Sequence, residues 1–531
     1  MVNKQLFNTK LSSGQSTNTV NVAGGKAYAF TDENALCQYV VTGTFNGIYY
    51  ASAGEQLERV QALVENVRSE FIAKAAVYGH ETAKMKDVPA YLLVVLAARA
   101  KTSVEAQTLL TRTFPRVITN MKMLTVFIRI LRSGVTGRKS LGSLVKGLVQ
   151  NWLTSQSNNK LFISSIGHSN PSVLDILRMV HPKPANPSQE ATFGYLVGKE
   201  YNPALLATTA QEFEAFKADN SRALPDMQFR ALTNCNLTPD HWKQIALNMP
   251  WNTLRMNLNM LQRNGVFEDK ELTTQLANKL RDPVEVRKCN AFPYQLLTTF
   301  QNIVGLPMEI SLALQDALEI ATENVPALGS NVAICIDLSG SMHSPVTGSS
   351  GYNGHVTKTT CVDVAALIAA SLVRTNPNCK VIAWATNAKE VQVNPRDSVA
   401  TNSEKFKNCG VGGGTSAQLG LRLLNQTNWK GDAVIYVSDN QSWLRQPGDQ
   451  VVWYGAASVT EMSSEWAKFR KRNHNARLAC IDIQPYGDTQ VSDGQNCLNI
   501  GGFTDSVWPV ISNFMTGKST DFASEINKVT L

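Results

Sequence analysis

No two cysteines stand in a CxxC spacing in this 531-residue chain. The nine present, at 37, 235, 289, 335, 361, 379, 409, 480 and 497, make an odd total. A zinc ribbon and a disulfide framework are both poor readings, and reduced thiols within apolar runs are the better one. Charge is scarce, 17% of residues against 43% apolar. That balance argues against wholesale disorder and supplies material for substantial cores. No stretch reaches membrane-spanning length without charge, and MVNKQLFNTKLSS lacks the apolar core of a secretory signal. The expectation is a cytoplasmic protein with no membrane attachment. A strict internal repeat is also missing, as is any RNP, KH or zinc-finger motif. No Ser/His/Asp or Cys/His arrangement can be placed, so an enzyme is the weakest functional class.

The length itself calls for two or more domains. Residues 1–20, ending in a polar, glycine-bearing stretch, read as a flexible arm. From 21 to 328 the pattern is helical almost throughout. EQLERVQALVENVRSEFIAKAAVYG (55–79), VPAYLLVVLAARA (88–100), MKMLTVFIRILR (121–132) and FEAFKADN (213–220) space their apolar residues by three and four. Turn signals such as HSNPS, NLTPD and RDPVEV break the pattern at intervals. Irregular helix pairs stacked as a solenoid, each covering its neighbour's apolar face, and a globular all-α domain fit equally well. From 329 to 531 the texture changes. NVAICI, CKVIAWA (379–385), DAVIYVS (432–438) and RLACIDI (477–483) are short, nearly continuous apolar runs. CVDVAALIAASLVR (361–374) and SEWAKFRKR (464–472) lie between them as amphipathic segments. Buried parallel strands alternating with helices predict a doubly wound α/β sheet. The fold class is thus α followed by α/β.

Ligand sites in such sheets gather beyond the carboxyl ends of strands, and DLSGSM (337–342) stands there, just after NVAICI. It could be a helix start, a plain strand-to-loop turn or a polar cradle for a metal ion. Alternation on an extended segment turns Asp337, Ser339 and Ser341 the same way, and Gly340 would let the backbone pass closely. GGGTSAQLG (412–420) adds a glycine-rich turn ending in Thr415, and VSDNQSW (437–443) adds Asp439 after its own strand. Three hydroxyls and two carboxylates are hard oxygen donors, suited to Mg²⁺ or Mn²⁺ and poor for Zn²⁺. Any one of these segments alone is an ordinary cap or turn; the three in order make the metal reading.

Charge is unevenly spread. Window 101–174 holds ten basic residues, Lys101, Arg112, Arg116, Lys122, Arg129, Arg132, Arg138, Lys139, Lys146 and Lys160, against one acid, Glu105. That local excess is larger than the +8 of the whole chain, whereas residues 329–531 carry 17 basic and 16 acidic groups. Lys122, Arg129 and Arg132 fall within one broad helical face. Such a surface suits phosphate contacts with nucleic acid, and a solvated basic face is the plain alternative. His181 in LDILRMVHPKP reads first as a cap or packing residue; its neighbours Arg178 and Lys183 make an RNA contact the second reading.

DLSGSM, GGGTS and VSD together resemble the metal-ion-dependent adhesion site of von Willebrand factor A domains. The resemblance implies Ser339 and Ser341 as direct ligands and Thr415 as a ligand directly or through water. Asp337 and Asp439 would act mostly through water or from outside the coordination shell. One coordination position would be left for a partner's carboxylate. TDENALCQYVVTGTFNGIYY, LDILRMVHPKP, LTPDHWKQIALNMPWNTLRMNLNML (237–261) and the closing domain resemble the Ro 60 kDa autoantigen family, a TROVE domain plus an A domain. That similarity covers nearly the entire chain. It implies a ring of HEAT-like repeats that binds small noncoding Y RNA on its basic outside and admits single-stranded ends of misfolded or structured RNAs. It also implies a role in RNA quality control, ribosomal RNA maturation and decay beside an exoribonuclease such as polynucleotide phosphorylase. His181 falls on the family's RNA-contacting histidine. The two basic residues that precede it in animal members are not matched: the nearer falls on His168 and the farther within FISS (162–165), with Lys160 somewhat upstream.

The reading is a non-enzymatic RNA-binding protein carrying a divalent ion in its A domain. Its RNA-binding residues would be Arg112, Arg116, Lys122, Arg129, Arg132, Arg138, Lys139, Lys146, Lys160, His168, Arg178, His181 and Lys183. The rival is a metal-dependent protein–protein adhesion module with the helical half as scaffold.

Overall fold

The four apolar runs of the second half become strands of one sheet. The computed structural model describes residues 16–42, 45, 52–166, 170–289, 291, 293–329, 331–346, 358–443, 459–494, 496–503 and 506–531. Two short strands come first, β1 (Thr19–Val20) and β2 (Lys26–Ala29). Then follow β3 (Val332–Asp337), β4 (Lys380–Trp384), β5 (Ala388–Val391), β6 (Ala433–Ser438), β7 (Arg477–Asp482), β8 (Asp488–Thr489) and β9 (Cys497–Gly501). The large sheet runs β5-β4-β3-β6-β7-β9, parallel throughout except for β5. β3 and β6 are buried along their whole length, which is why their sequences show no alternation. Helices Cys361–Thr375, Val399–Lys407, Gln418–Gln426 and Glu461–Arg472 connect the strands. The chain leaves β3 for β4 on one side and later returns to place β6 on the other. The switch point therefore falls between β3 and β6, and their carboxyl ends carry Asp337 and Asp439. β5 and β9 escape the sequence reading. β5 is a polar edge strand, and β9, CLNIG, has its run broken by an asparagine and a glycine.

The molecule divides into two compact units. One comprises Val67–Ala291, Asn302–Ala317 and Val529–Leu531, and the other Met1–Asn66, Phe292–Gln301 and Leu318–Lys528. The expected division at 328/329 differs from this, because the early residues add to the α/β unit. β2 pairs with β8 through Tyr28↔Thr489, extending a small sheet β1-β2-β8. Helix Asp32–Thr42 lies against β9, with Gln38 Nε2 donating to the carbonyl of Asn499 at 3.2 Å. Residues 34–41 of that helix are all buried. Most of the arm expected over 1–20 lies outside the described residues.

The other unit is helical. Its helices include Ser69–Glu81, Asp87–Arg99, Val104–Val117 and Met121–Ser133, and Asp87–Arg99 packs against the other three. Gly142–Ser155 then packs on Val104–Val117 and Val173–Val180. Each helix meets partners close in sequence, the packing of an irregular helical repeat. The 55–79 pattern, read as continuous, is broken between Asn66 and Ser69 into helices Ala53–Asn66 and Ser69–Glu81. The two halves belong to different units. All nine cysteines are free. Among the described residues no helix is long and apolar enough to cross a membrane.

Candidate metal centre and nucleic-acid interface

Asp337 ends β3 with its side chain wholly buried. One carboxylate oxygen accepts from the Ser339 amide at 2.8 Å and the other from the Ser438 hydroxyl at 2.7 Å. Ser339 precedes a 3-10 turn, Gly340–His343, as its N-cap, yet its hydroxyl makes no capping bond. That hydroxyl stands 3.4 Å from the Ser341 hydroxyl instead. The plain helix-start reading of DLSGSM therefore fails here, since a cap would spend the oxygen on a backbone N–H. Asp439 accepts from the Gln441 amide at 3.2 Å and from the Ser341 side chain. Thr415 is buried on the glycine-rich loop. The loop is tied to the first segment by Gly340 N donating to Gly413 O at 2.9 Å, and to β4's end by Gly414 N donating to Thr386 Oγ1 at 2.7 Å. The glycine that close approach requires is Gly413, with φ +106°, where a Cβ would collide with Thr386. At Gly340 a Cβ would make only ordinary contact, so the sequence placed the constraint on the wrong glycine.

All five oxygen-bearing residues are buried: Asp337, Ser339, Ser341, Thr415 and Asp439 are at most 7% exposed. Burial, and then the neighbouring Asp439, push the Asp337 carboxyl upward. Burial does the same to Asp439. Among the described residues, the groups bonded to the two carboxylates are hydroxyls and amides, none charged. Next to Thr415, Ser416 keeps a buried hydroxyl without a hydrogen-bond partner among the described residues. Two buried carboxylates facing neutral donors, with three hydroxyls beside them, fit a hard divalent cation, which would relieve their mutual repulsion. Among the described residues no group of three or more His, Cys, Asp or Glu side chains is arranged to hold a metal. A site here would rest on two carboxylates and the hydroxyls. Sequence reasoning missed Ser438, which orients Asp337; its place before Asp439 at a strand end was the available signal. It also missed Asp482 and Asp488, both buried nearby. Asp482 is pushed well up by burial and by Asp439 and Asp488.

The basic residues divide into two groups. Lys122, Arg129 and Arg132 lie exposed on helix Met121–Ser133, whose opposite face is buried. Arg129 Nε also donates to the carbonyl of Asn170 at 2.6 Å. Arg112, Lys139, Lys160, Arg178, His181 and Lys183 are exposed, and Lys146 is half-buried. His181 takes the cap role of its first reading. Its backbone ends helix Val173–Val180 in the left-handed region, φ +48°, while the residue stays exposed. Arg116 is partly committed, its guanidinium bonded to both carboxylate oxygens of Glu81 at 2.7 Å. Arg138 is a correction. It is 6% exposed, and its guanidinium donates to the carbonyls of Ser140, at 2.7 Å, and of Ala97 and Leu141. The turn after Gly134 folds it inward to satisfy backbone oxygens, so it is unavailable to phosphate. His168 lies outside the described residues.

Residues 331–515 match the family model described as the Ro60 vWA domain. The chain is 23% identical over 461 residues to an RNA-binding protein RO60 of Deinococcus radiodurans, covering 80% of this chain and 84% of that protein. It is 23% identical over 287 residues to an RNA-binding protein RO60 of Caenorhabditis elegans, covering 51% of this chain and 41% of that one. The crystal structure of the Deinococcus radiodurans RO (RSR) protein is similar in fold, with a TM-score of 0.62 at 19% identity. It covers 92% of this chain and all of that one. The closing domain thus matches the Ro60 vWA domain, and the whole chain is similar in sequence and in fold to Ro60 proteins.

Proposed function

We propose that this protein is a non-enzymatic RNA-binding protein that uses the exposed basic face of its helical unit. Lys122, Arg129 and Arg132 carry the reading: three cations on one side of one helix, within a window holding a single acid. The RNA-binding relatives support it. In the finer form of the proposal, small noncoding Y RNA binds this face through phosphates. Single-stranded ends of misfolded or structured RNAs bind through phosphate contacts together with exposed ring side chains. The cellular role is RNA quality control, ribosomal RNA maturation and decay in the cytoplasm, beside an exoribonuclease such as polynucleotide phosphorylase. A gel shift on structured RNA, with and without a single-stranded tail, tests this. Affinity that falls steeply with salt is expected, and absent or salt-insensitive binding would overturn it.

The second reading concerns the A domain. Asp337, Ser339, Ser341, Thr415 and Asp439 would hold Mg²⁺ or Mn²⁺, and the ion would supply a position for a carboxylate of a protein partner. What favours it is the uncapped Ser339 hydroxyl beside two buried acids. Calorimetry with Mn²⁺ should show binding that Ser339→Ala weakens while the protein stays folded. An unchanged isotherm would remove Ser339 from the site.

A further inference from the structure

The loop carrying Asp439 is held partly from the far end of the chain. Residues 21–25, NVAGG, form the turn between β1 and β2. Within it Asn21 N donates to Gly25 O at 2.8 Å and Gly24 N to Asn21 O at 3.0 Å. Gly25 N in turn donates to Asn21 Oδ1 at 2.7 Å. The other end of that carboxamide faces away from the turn: Nδ2 donates to the carbonyl of Ser442 at 2.8 Å. The next residue, Val22, donates its amide to Gln441 Oε1 at 3.0 Å. Gly25 packs so closely on Ser442 that a Cβ there would collide with the Ser442 carbonyl.

Both receiving residues reach into the cradle. The Gln441 amide donates to Asp439 Oδ1 at 3.2 Å, and its Nε2 to Asp488 Oδ1 at 3.3 Å. The Ser442 hydroxyl donates to the carbonyl of Thr415 at 3.2 Å and accepts from the Ala417 amide at 3.0 Å. Trp443 N adds a second bond to the Thr415 carbonyl, at 3.2 Å. Asn440, between Asp439 and Gln441, sits in the left-handed region, φ +58°, a conformation asparagine adopts more readily than most residues. The loop thus meets the Thr415 segment on one side and the N-terminal turn on the other. Buried polar groups as a rule need partners, and a purely structural clasp would answer that need anywhere on the loop. These bonds instead converge on residues adjoining Asp439 and on the backbone of Thr415.

We infer that the turn Asn21–Gly25 is a positioning element of the metal cradle, setting Asp439 and Thr415 through Gln441 and Ser442. This rests on reading the cradle as a metal site. Groups that orient ligands from outside the coordination shell typically change metal affinity by about 10- to 100-fold. Asn21→Asp isolates the link. It keeps the Oδ1 acceptor and hence the turn, but sets an oxygen against the Ser442 carbonyl in place of a donor. Gly25→Ala attacks the same contact by steric wedge.

The test compares the full chain with Asn21→Asp, Gly25→Ala and Ser339→Ala. It uses Mn²⁺ calorimetry, the electron paramagnetic resonance of bound Mn²⁺, and hydrogen exchange without metal. The expected result for Asn21→Asp is Mn²⁺ affinity about tenfold weaker, with an altered Mn²⁺ line shape. Amide exchange at Gln441–Trp443 should be about tenfold faster while β3 and β6 stay protected. If the unaltered protein takes Mn²⁺, Ser339→Ala loses it, and both turn variants bind and exchange normally, the positioning role is overturned. Exchange that rises evenly across β3, β6 and the loop also overturns it, since that marks general destabilisation. If the unaltered protein and Ser339→Ala are alike in taking no Mn²⁺, the metal reading itself falls.

Discussion

Arg138 and Lys139 stand side by side in a basic, glycine-flanked turn, yet only Lys139 faces solvent. The difference is backbone need: Arg138 turns inward to three carbonyl oxygens, and burial of a guanidinium is tolerable only when its donors are met. Arg138→Ala should therefore cost about 2–3 kcal/mol of stability in denaturant unfolding, while the salt dependence of RNA binding stays as it was. Asp488 gives a second prediction at this scale. Burial raises its carboxyl to about 6, against the lowering effect of the Gln441 bond and Arg59. The folded protein thus keeps a proton that the unfolded chain has already lost above its ordinary value of 3.8. The unfolded state binds fewer protons in that window, so stability falls as pH rises from near 4 through 6. Asp488→Asn should flatten that fall, by roughly 3 kcal/mol when melting curves are compared across it. Neither burial was visible in the sequence, because a charged residue looks the same there whether it meets water or a carbonyl.

Helix Met121–Ser133 shows what an element makes legible. Asn120 caps it by accepting from the Met123 amide at 3.0 Å, and Gly134 ends it in the left-handed region. Its three cations share the face opposite the buried apolar side. Lys122→Glu combined with Arg132→Glu should weaken RNA binding by at least about tenfold. The salt slope should shrink by about 0.7–0.9 for each phosphate contact removed, read from gel shifts at several salt concentrations. The strands were equally readable where both faces are buried, as in β3 and β6. The pattern gave no warning of the break at Asn66–Ser69, since apolar spacing continues across it. Helix Asp32–Thr42 falls in the stretch read as helical, but its docking on β9 was not legible: with residues 34–41 buried, it shows no polar stripe to set a buried face apart.

At the scale of the whole molecule, the cradle and the basic face belong to separate compact units, and the cradle's half of the sequence is almost neutral. Removing divalent ions with EDTA should therefore leave RNA affinity within about twofold at fixed ionic strength, the change a few phosphate contacts would far exceed. The same treatment should lower the melting temperature of metal-loaded protein. Saturating metal at a hundred times its Kd contributes about 2.7 kcal/mol to the folded state. A loss of RNA binding with EDTA would join the two sites functionally.

The sequence by itself determined the change from helical to doubly wound architecture. It also determined the strand ends bearing Asp337 and Asp439, and the helix that carries the basic face. Those follow from local periodicity and from the order of motifs along the chain. Only the tertiary structure decided that the cradle is buried, that Gly413 rather than Gly340 makes the close approach, and that Arg138 is unavailable. It alone brought residues 21–25 against Gln441 and Ser442. Such contacts join groups more than 400 positions apart, and what sets them is the need of buried polar atoms for partners, which leaves no periodic trace in a sequence.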